Sequence, residues 1–188
     1  MILFSRKEIS LRTLESEDAG LLVRWLNDPA VLEFYEGRDR PQDAALVQKH
    51  FYEDREEIIP CIIQYNGADI GYLQFYEIQE EEREIYGLSD EADSLYGMDQ
   101  FIGEPRYWNK GIGSELIKET VQYLIKERGA RKIVMDPQAW NTRALRVYEK
   151  SGFKKVKLLE KHEWHEGEYR DCWLIVYDPG DALSNDLL

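Results

Sequence analysis

The sequence predicts an α+β protein, with one mixed sheet of about seven strands and helices on both faces. Three observations carry that reading. Short segments of alternating apolar residues recur along the chain, as half-buried strands require. Asn66-Gly67 joins two such segments in the pattern of a tight hairpin. Two later segments carry a helical stripe between strands, so crossovers and hairpins serve the same sheet.

The elements follow in order. Residues 9–13 ("ISLRT") alternate as a strand. A helix is expected from Ser16, with Glu17 and Asp18 in its first turn, to about Asn27, where Asp28-Pro29 ends it. A second helix is expected over 42–52, behind Pro41. The hairpin "IIPCIIQYNGADIGYLQFYEI" comes next. Residues 77–93 are crowded with acidic side chains and read as an exposed loop or hairpin extension with a solvated face.

Residues 94–103 ("SLYGMDQFIG") form another strand. After Gly111, residues Leu116, Ile117, Val121, Leu124 and Ile125 make one apolar stripe, and Gly129 caps its end. "RKIVMDP" is a short buried strand closed by Asp136-Pro137. Asn141 caps a helix running to Ser151, with Gly152 after it. Strands over 153–160 and 169–177 complete one domain over 1–180, followed by a loose tail over 181–188.

Composition narrows the function. With 37 acidic against 24 basic side chains the net charge is −13, which argues against a nucleic-acid partner and would steer a cationic one inward. Charge alone does not separate a cation-binding protein from one that is merely soluble. No apolar run is long enough to span a membrane, and the N-terminus lacks the pattern of a signal peptide. A cytoplasmic protein, monomer or homodimer, is therefore expected. Cys61 and Cys172 each sit in an apolar run and read as reduced core thiols. His162 and His165 have an H-x-x-H spacing without a third ligand, so they read as surface histidines and no metal is expected.

Against this acidic background, "RYWNKGIGSELIKETVQYLIKERG" is locally positive. Lys110, Gly111, Ile112, Gly113 and Ser114 stand where a strand gives way to the best helix in the chain. Glycines let backbone N–H groups converge there, and a helix N-terminus with basic neighbours favours an anion, typically phosphate. Lys110 precedes the glycines, unlike a P-loop, and Leu116 takes the third glycine position of a dinucleotide fingerprint. Taken alone, the segment fits a flexible turn as well. Thirty residues on, "WNTRALRVYEKSGF" places Asn141, Ala144, Leu145 and Tyr148 on one helical face.

Together these segments resemble the GCN5-related N-acetyltransferase family over essentially the whole chain, and so the GNAT fold. The family pattern Gln/Arg-x-x-Gly-x-Gly/Ala has Trp108 at its first position here. A narrower resemblance lies in "WLNDPAVLEFYEGRDR", "IGYLQFY", "YGMDQFIGEPRYWNKGIG" and "NTRALRVYEKSGF". It points to the aminoglycoside 6′-N-acetyltransferases, most of all to the acetyltransferase half of the bifunctional Gram-positive resistance enzymes. The resemblance implies acetyl-CoA as cosubstrate, its pyrophosphate at the 110–114 helix start. It also implies a polycationic aminoglycoside as acceptor.

Acetyl transfer to an amine needs a neutral amine, a polarised carbonyl and a proton for the departing thiolate. Alternation puts Asp99 on a face with Leu95, Gly97 and Phe101, where a carboxylate is costly unless partnered. It is either satisfied locally or holds the substrate ammonium, and the resemblance implies the second. Asp136 reads as a turn former, and by resemblance as a second anion for ring ammonium groups. The resemblance implies Tyr148 as the acid, and it also implies that backbone N–H groups of Gln100, Phe101 and Ile102 polarise the carbonyl. Gln74 and Tyr76 share a strand face and match substrate-contacting positions; Trp25, Glu33 and Tyr35 are weaker candidates, which a core or lid role fits at least as well. Trp164, Glu166 and Asp171 border the same region from the C-terminal hairpin. Two other readings keep the fold: a polyamine or protein N-terminal acetyltransferase, and a non-catalytic acyl-CoA-binding domain.

Overall fold

The chain opens with a strand that alternation does not announce. β1 (Ile2–Arg6) turns through Lys7, at φ 51°, and pairs antiparallel with β2 (Ile9–Thr13). Its apolar residues run consecutively and only Phe4 is buried, which hides the period of two. The sheet therefore has eight strands rather than about seven. The structure, a computed structural model, describes residues 1–53, 57–90 and 94–181. The tail expected from 181 lies, beyond Asp181, outside the described residues.

The helix expected over 16–27 is divided. Ser16–Asp18 form one 3₁₀ turn before α1 (Ala19–Trp25). Asp18 is tied there by Arg12, whose guanidinium donates to both carboxylate oxygens at 2.7 and 2.8 Å. Burial pushes the Asp18 pKa up, and the Arg12 hydrogen bonds outweigh it, holding the carboxyl below its usual range. Asp28-Pro29 ends one helix and starts the next, α2 (Pro29–Leu32): the Asp28 carboxylate accepts from the Ala30 N–H at 2.9 Å. The helix expected over 42–52 is likewise split into α3 (Ala44–Gln48) and a π-helical turn, Lys49–Glu53.

Asn66 and Gly67 take φ 49° and 78°, the left-handed pair that a two-residue hairpin turn demands. They join β3 (Ile58–Tyr65) to β4 (Ala68–Glu77). The acidic segment expected to be a loop contains α4 (Glu80–Tyr86) instead. A capping box between Gln79 and Glu82 starts it and Gly87 at φ 72° ends it, so three glutamates lie in the first turn, where the helix dipole favours them. Residues 91–93 of that segment lie outside the described residues. β5 (Leu95–Ile102), α5 (Ile112–Arg128), β6 (Lys132–Met135) and α6 (Thr142–Lys150) follow as expected. β7 (Lys154–His165) and β8 (Glu168–Tyr177) are longer than alternation suggested, because Glu166 and Gly167, at φ 47° and 91°, make the turn.

The strands are hydrogen-bonded in the order β1-β2-β3-β4-β5-β6-β8-β7. β5 and β6 are parallel, whereas β6 with β8 and β8 with β7 are antiparallel, so the sheet is mixed and the class is α+β. No helix among the described residues is long and apolar enough to cross a membrane.

The chain forms two compact units, residues 1–75 with 99–115 and residues 76–98 with those from 116 on. The first has a core built on Leu22, Trp25, Phe51, Ile62, Tyr72 and Phe101. The second packs Ile78, Leu95, Val134, Leu159, Cys172 and Leu174. Cys61 and Cys172 are both free thiols and buried.

In the first unit, Trp25 lies against the backbone just after β5. A Cβ built on Gly103 would stand 2.3 Å from its Cγ and 2.4 Å from its Cδ2. Gly103→Ala is therefore expected to destabilise the protein by about 1–3 kcal/mol, the usual effect of overpacking. Gly20, in α1, has nothing within 4 Å of its would-be Cβ. Gly20→Ala should move the urea midpoint the other way, by about 0.5–1 kcal/mol. Equal midpoints for the two variants would show that the Trp25 ring is not held against residue 103.

Candidate functional site

β5 brings Asp99 beside Gln74 of β4. The Gln74 Nε2 donates to Asp99 Oδ2 at 2.9 Å, and the Tyr72 hydroxyl donates to Gln74 Oε1 at 2.8 Å. The carboxylate fixes which way the amide faces: it can only accept, so Nε2 must turn to it, and Oε1 is left to accept from the phenol. Tyr72 is itself clamped, 1 % exposed and edge-on to Phe51 with ring centroids 5.0 Å apart. The sequence offered Gln74 and Asp99 as separate substrate-side candidates; the structure brings them into direct contact. Asp99, Gln100 and Ile102 are half-buried and Phe101 is buried beneath Tyr35, whose ring centroid is 4.5 Å away.

Close approach holds this part of β5 in place. A Cβ on Gly71 of β4 would stand 2.3 Å from the Phe101 carbonyl oxygen. Just beyond β5, the Gly103 N–H still donates to the Ile70 carbonyl at 2.8 Å. The Ile102 carbonyl, at the end of the strand, accepts from the Trp108 indole N–H at 2.8 Å. Trp108 also packs edge-on to Phe34. The residue that departs from the family pattern thus has structural work to do.

Trp25 is 1 % exposed and sits in the core, the role that the sequence left open for it beside a substrate contact. Its indole N–H donates to Glu104 Oε1 at 3.0 Å, and Arg24 bonds the same oxygen. Burial works to raise the Glu104 pKa. The Trp25 N–H and the nearby Arg24 and Arg106 charges outweigh that and hold it below the usual range.

Ahead of α5, Asn109 and Gly111 adopt φ 59° and 80° on either side of Lys110. Nothing lies within 4 Å of a Cβ built on Gly111. The first intrahelical bond runs from the Glu115 N–H to the Gly111 carbonyl, so the N–H groups of Ile112, Gly113 and Ser114 precede the helical ladder. Lys110 and Arg106 are exposed, with their charged ends 5.9 and 5.2 Å from the Tyr107 ring centre. Two left-handed residues, free donors and two cations make an anion-accepting corner.

The remaining candidates belong to the second unit. Asn141 accepts from the Ala144 N–H at 3.2 Å, which caps α6 as expected. Tyr148, half-buried on α6, meets the Phe153 ring edge-on at 6.2 Å. Tyr76 lies across Gly97 of β5, where a Cβ would come within 2.6 Å of its ring.

Asp136 ends β6 and is held by two side chains that the sequence did not connect to it. Its Oδ2 accepts from the Tyr86 hydroxyl of α4 at 3.0 Å and from His162 Nε2 at 2.8 Å. Because a carboxylate only accepts, Nε2 carries the hydrogen. That bond is the main cause of a raised His162 pKa, against the lowering effect of burial. The reading of His162 and His165 as surface histidines is therefore corrected. His162 is half-buried on Asp136, and His165 is 3 % exposed beside the Trp140 ring, 5.5 Å away. A register shift in β7 between Leu159 and Glu163 places these residues, and no period in the sequence signals it. Trp164 remains on the surface, edge-on to Tyr169, and Asp171 accepts from the Lys161 N–H.

A family model described as an acetyltransferase (GNAT) domain matches residues 15–161. The aminoglycoside N(6′)-acetyltransferase type 1 of Klebsiella pneumoniae is 29 % identical over 154 residues, 80 % of this chain and 76 % of that protein. A solved structure of AAC(6′)-Ib in complex with ribostamycin and coenzyme A matches with a TM-score of 0.77 and 26 % identity. The match covers 94 % of this chain and 97 % of that one. The spermidine N-acetyltransferase of Vibrio cholerae, in complex with CoA and spermine, shares the fold at a TM-score of 0.73 and 18 % identity, over 95 % and 99 % of the two chains.

The raised His162 pKa has a stability consequence of definite sign. Its contribution is fully present below the unfolded value of about 6.5 and is lost as pH rises through the higher folded value. The difference in melting temperature between the protein and His162→Gln should thus be largest near pH 5.5 and shrink towards pH 8. A difference that stays constant with pH would dissociate the imidazole from Asp136.

Proposed function

The chain belongs to the GNAT acetyltransferase family, and on that premise we propose that it acetylates the 6′-amine of aminoglycosides. Transfer is direct, from acetyl-CoA to the amine in a ternary complex, with residues 1–180 working as one catalytic domain. The observation that carries the reading is the Tyr72–Gln74–Asp99 relay. It orients a half-buried carboxylate through a neutral amide, which brings no positive charge of its own. The similarity to enzymes named for the aminoglycoside 6′ position supports the same choice of acceptor.

The residues at the start of α5 fit a pyrophosphate. Lys110, Gly111, Ile112, Gly113 and Ser114 offer converging N–H groups, open space beside Gly111 and positive charge. Gln100, Phe101 and Ile102 on β5, with Asn141 and Ala144 on α6, complete the set that would hold the cosubstrate. Bound there, acetyl-CoA supplies an acetyl group activated as a thioester. Backbone N–H groups of 100–102 act as donors to the carbonyl oxygen. Asp99 binds the substrate ammonium and accepts its proton, directly or through water, leaving the lone pair that attacks. Tyr148 holds a transferable proton at its phenol oxygen for the departing sulfur. Gln74, Tyr76 and Asp136 bind the aminoglycoside, with Asp136 taking a ring ammonium. Trp25 supports this side from the core, through Glu104.

Thiol release measured with kanamycin, with an analogue bearing a 6′-hydroxyl and with spermidine tests the proposal. Turnover with kanamycin that disappears with the 6′-hydroxyl analogue is expected. Turnover with spermidine alone would move the chain to polyamine acetylation, and no thiol release with any of them would leave an acyl-CoA-binding protein.

Two variants separate the roles. Asp99→Asn should lower kcat by about 10²–10⁴-fold, the range for losing a general base, while acetyl-CoA binding holds. Parallel loss of both would mean misfolding. Tyr148→Phe should slow single-turnover acetylation with kanamycin affinity intact; an unaltered rate would take the phenol out of the mechanism.

A further inference from the structure

Asp136 Oδ2 accepts two hydrogen bonds, from Tyr86 and from His162, while among the described residues no donor reaches Oδ1. The side chain is 26 % exposed. Two donors on one oxygen fix the plane of the carboxylate and leave its other oxygen available. We propose that Tyr86 and His162 make Asp136 a proton-gated subsite for an ammonium group, with Oδ1 as the contact atom and His162 as a positioning residue that sets the gate. The inference rests on the preceding reading, in which Asp136 takes a substrate cation.

The gate follows from charge. With His162 neutral, the Asp136–His162 pair carries one negative charge; with His162 protonated it carries none. A cation binds the first state better, and by reciprocity its binding lowers the affinity of His162 for a proton. The groups facing the imidazole come from several elements. Asp136 ends β6, Tyr86 comes from α4, and Glu163 follows His162 on β7. Asp136 and Glu163 both favour the protonated imidazole. Across the hairpin, burial pushes the Cys172 thiol far up, so it stays neutral. Arg170, opposite Glu163, bonds Glu168 at 2.8 Å. The carboxylate that takes the cation is thus the main partner of the imidazole. The acidic segment acquires a part here too, since α4 delivers the Tyr86 hydroxyl.

Histidine ring resonances read the gate without any chemistry. The chain has three histidines, and His162→Gln removes and so assigns the one in question. Saturating kanamycin is expected to lower the His162 pKa. The matching change in kanamycin affinity between the two protonation states should be about fivefold or more, the usual size of such coupling. Correspondingly, KM for kanamycin should fall as pH rises through that pKa when referred to His162→Gln. Glutamine keeps the donor and has no proton to lose, so the titration of the substrate itself cancels. Tyr86→Phe, which leaves the imidazole as the sole donor to Oδ2, should raise the His162 pKa further. If kanamycin shifts His162 without being acetylated, the functional reading fails and the subsite stands. A His162 titration unmoved by both kanamycin and spermidine, or superposed KM profiles, overturns the subsite.

Discussion

Aromatic rings approach the backbone in β5 and just beyond it so closely that two positions, 97 and 103, have no room for a side chain. Tyr76 lies 2.6 Å from where the Cβ of residue 97 would be, and Trp25 2.3 Å from that of residue 103. Between those glycines run Asp99, Gln100, Phe101 and Ile102, the residues given to the amine and to the thioester. On the neighbouring strand Gly71 admits the Phe101 carbonyl in the same way. A strand held by contacts this short has few ways to shift, and its carboxylate inherits that precision. Cores transmit strain because they are close-packed, so a change in the aromatic cluster around Trp25, Tyr72 and Phe101 would be felt along this strand.

Charge is handled locally rather than by the overall excess of acid. Asp18 is paired bidentately with Arg12, and Glu104 is shared by Trp25, Arg24 and Arg106. Asp99 accepts from the Gln74 amide, and Asp136 from the Tyr86 phenol and the His162 imidazole. An amide and a phenol orient a carboxylate without cancelling its charge, and an imidazole does so while it is neutral, whereas an arginine always brings a positive charge.

Much of this was legible in the sequence wherever local chemistry dictates the conformation. Asn66-Gly67 needed left-handed backbone and took it, Asn141 capped α6, and the stripe from Leu116 to Ile125 became the longest helix. The α+β class and the family followed from the order of those elements. What escaped depended on long-range contacts or irregular backbone. β1 exposes most of its apolar residues, α4 is acidic enough to pass for a loop, and the 16–27 helix is interrupted by the Arg12–Asp18 pair. At the site, Asp99 was visible as a carboxylate on an apolar face. The partners of Asp136 were not, because Tyr86 and His162 lie 50 and 26 residues away in sequence. For Trp25 the sequence left core and substrate roles both open, because an aromatic residue looks alike whether it lines a cleft or fills a core; the structure buries it.

The bond from Trp108 to the Ile102 carbonyl bears on how this sequence can drift. The first position of the Gln/Arg-x-x-Gly-x-Gly/Ala pattern is occupied by a side chain that both terminates a strand and rests on Phe34. Restoring glutamine or arginine there would leave an indole-sized gap beside Phe34 and ask a flexible chain to find the same carbonyl. Substitution at 108 is therefore viable only in company with change at 34. A position that looks like an isolated departure from its family is one half of a coupled pair, and lineages carrying this tryptophan should retain a large ring at 34.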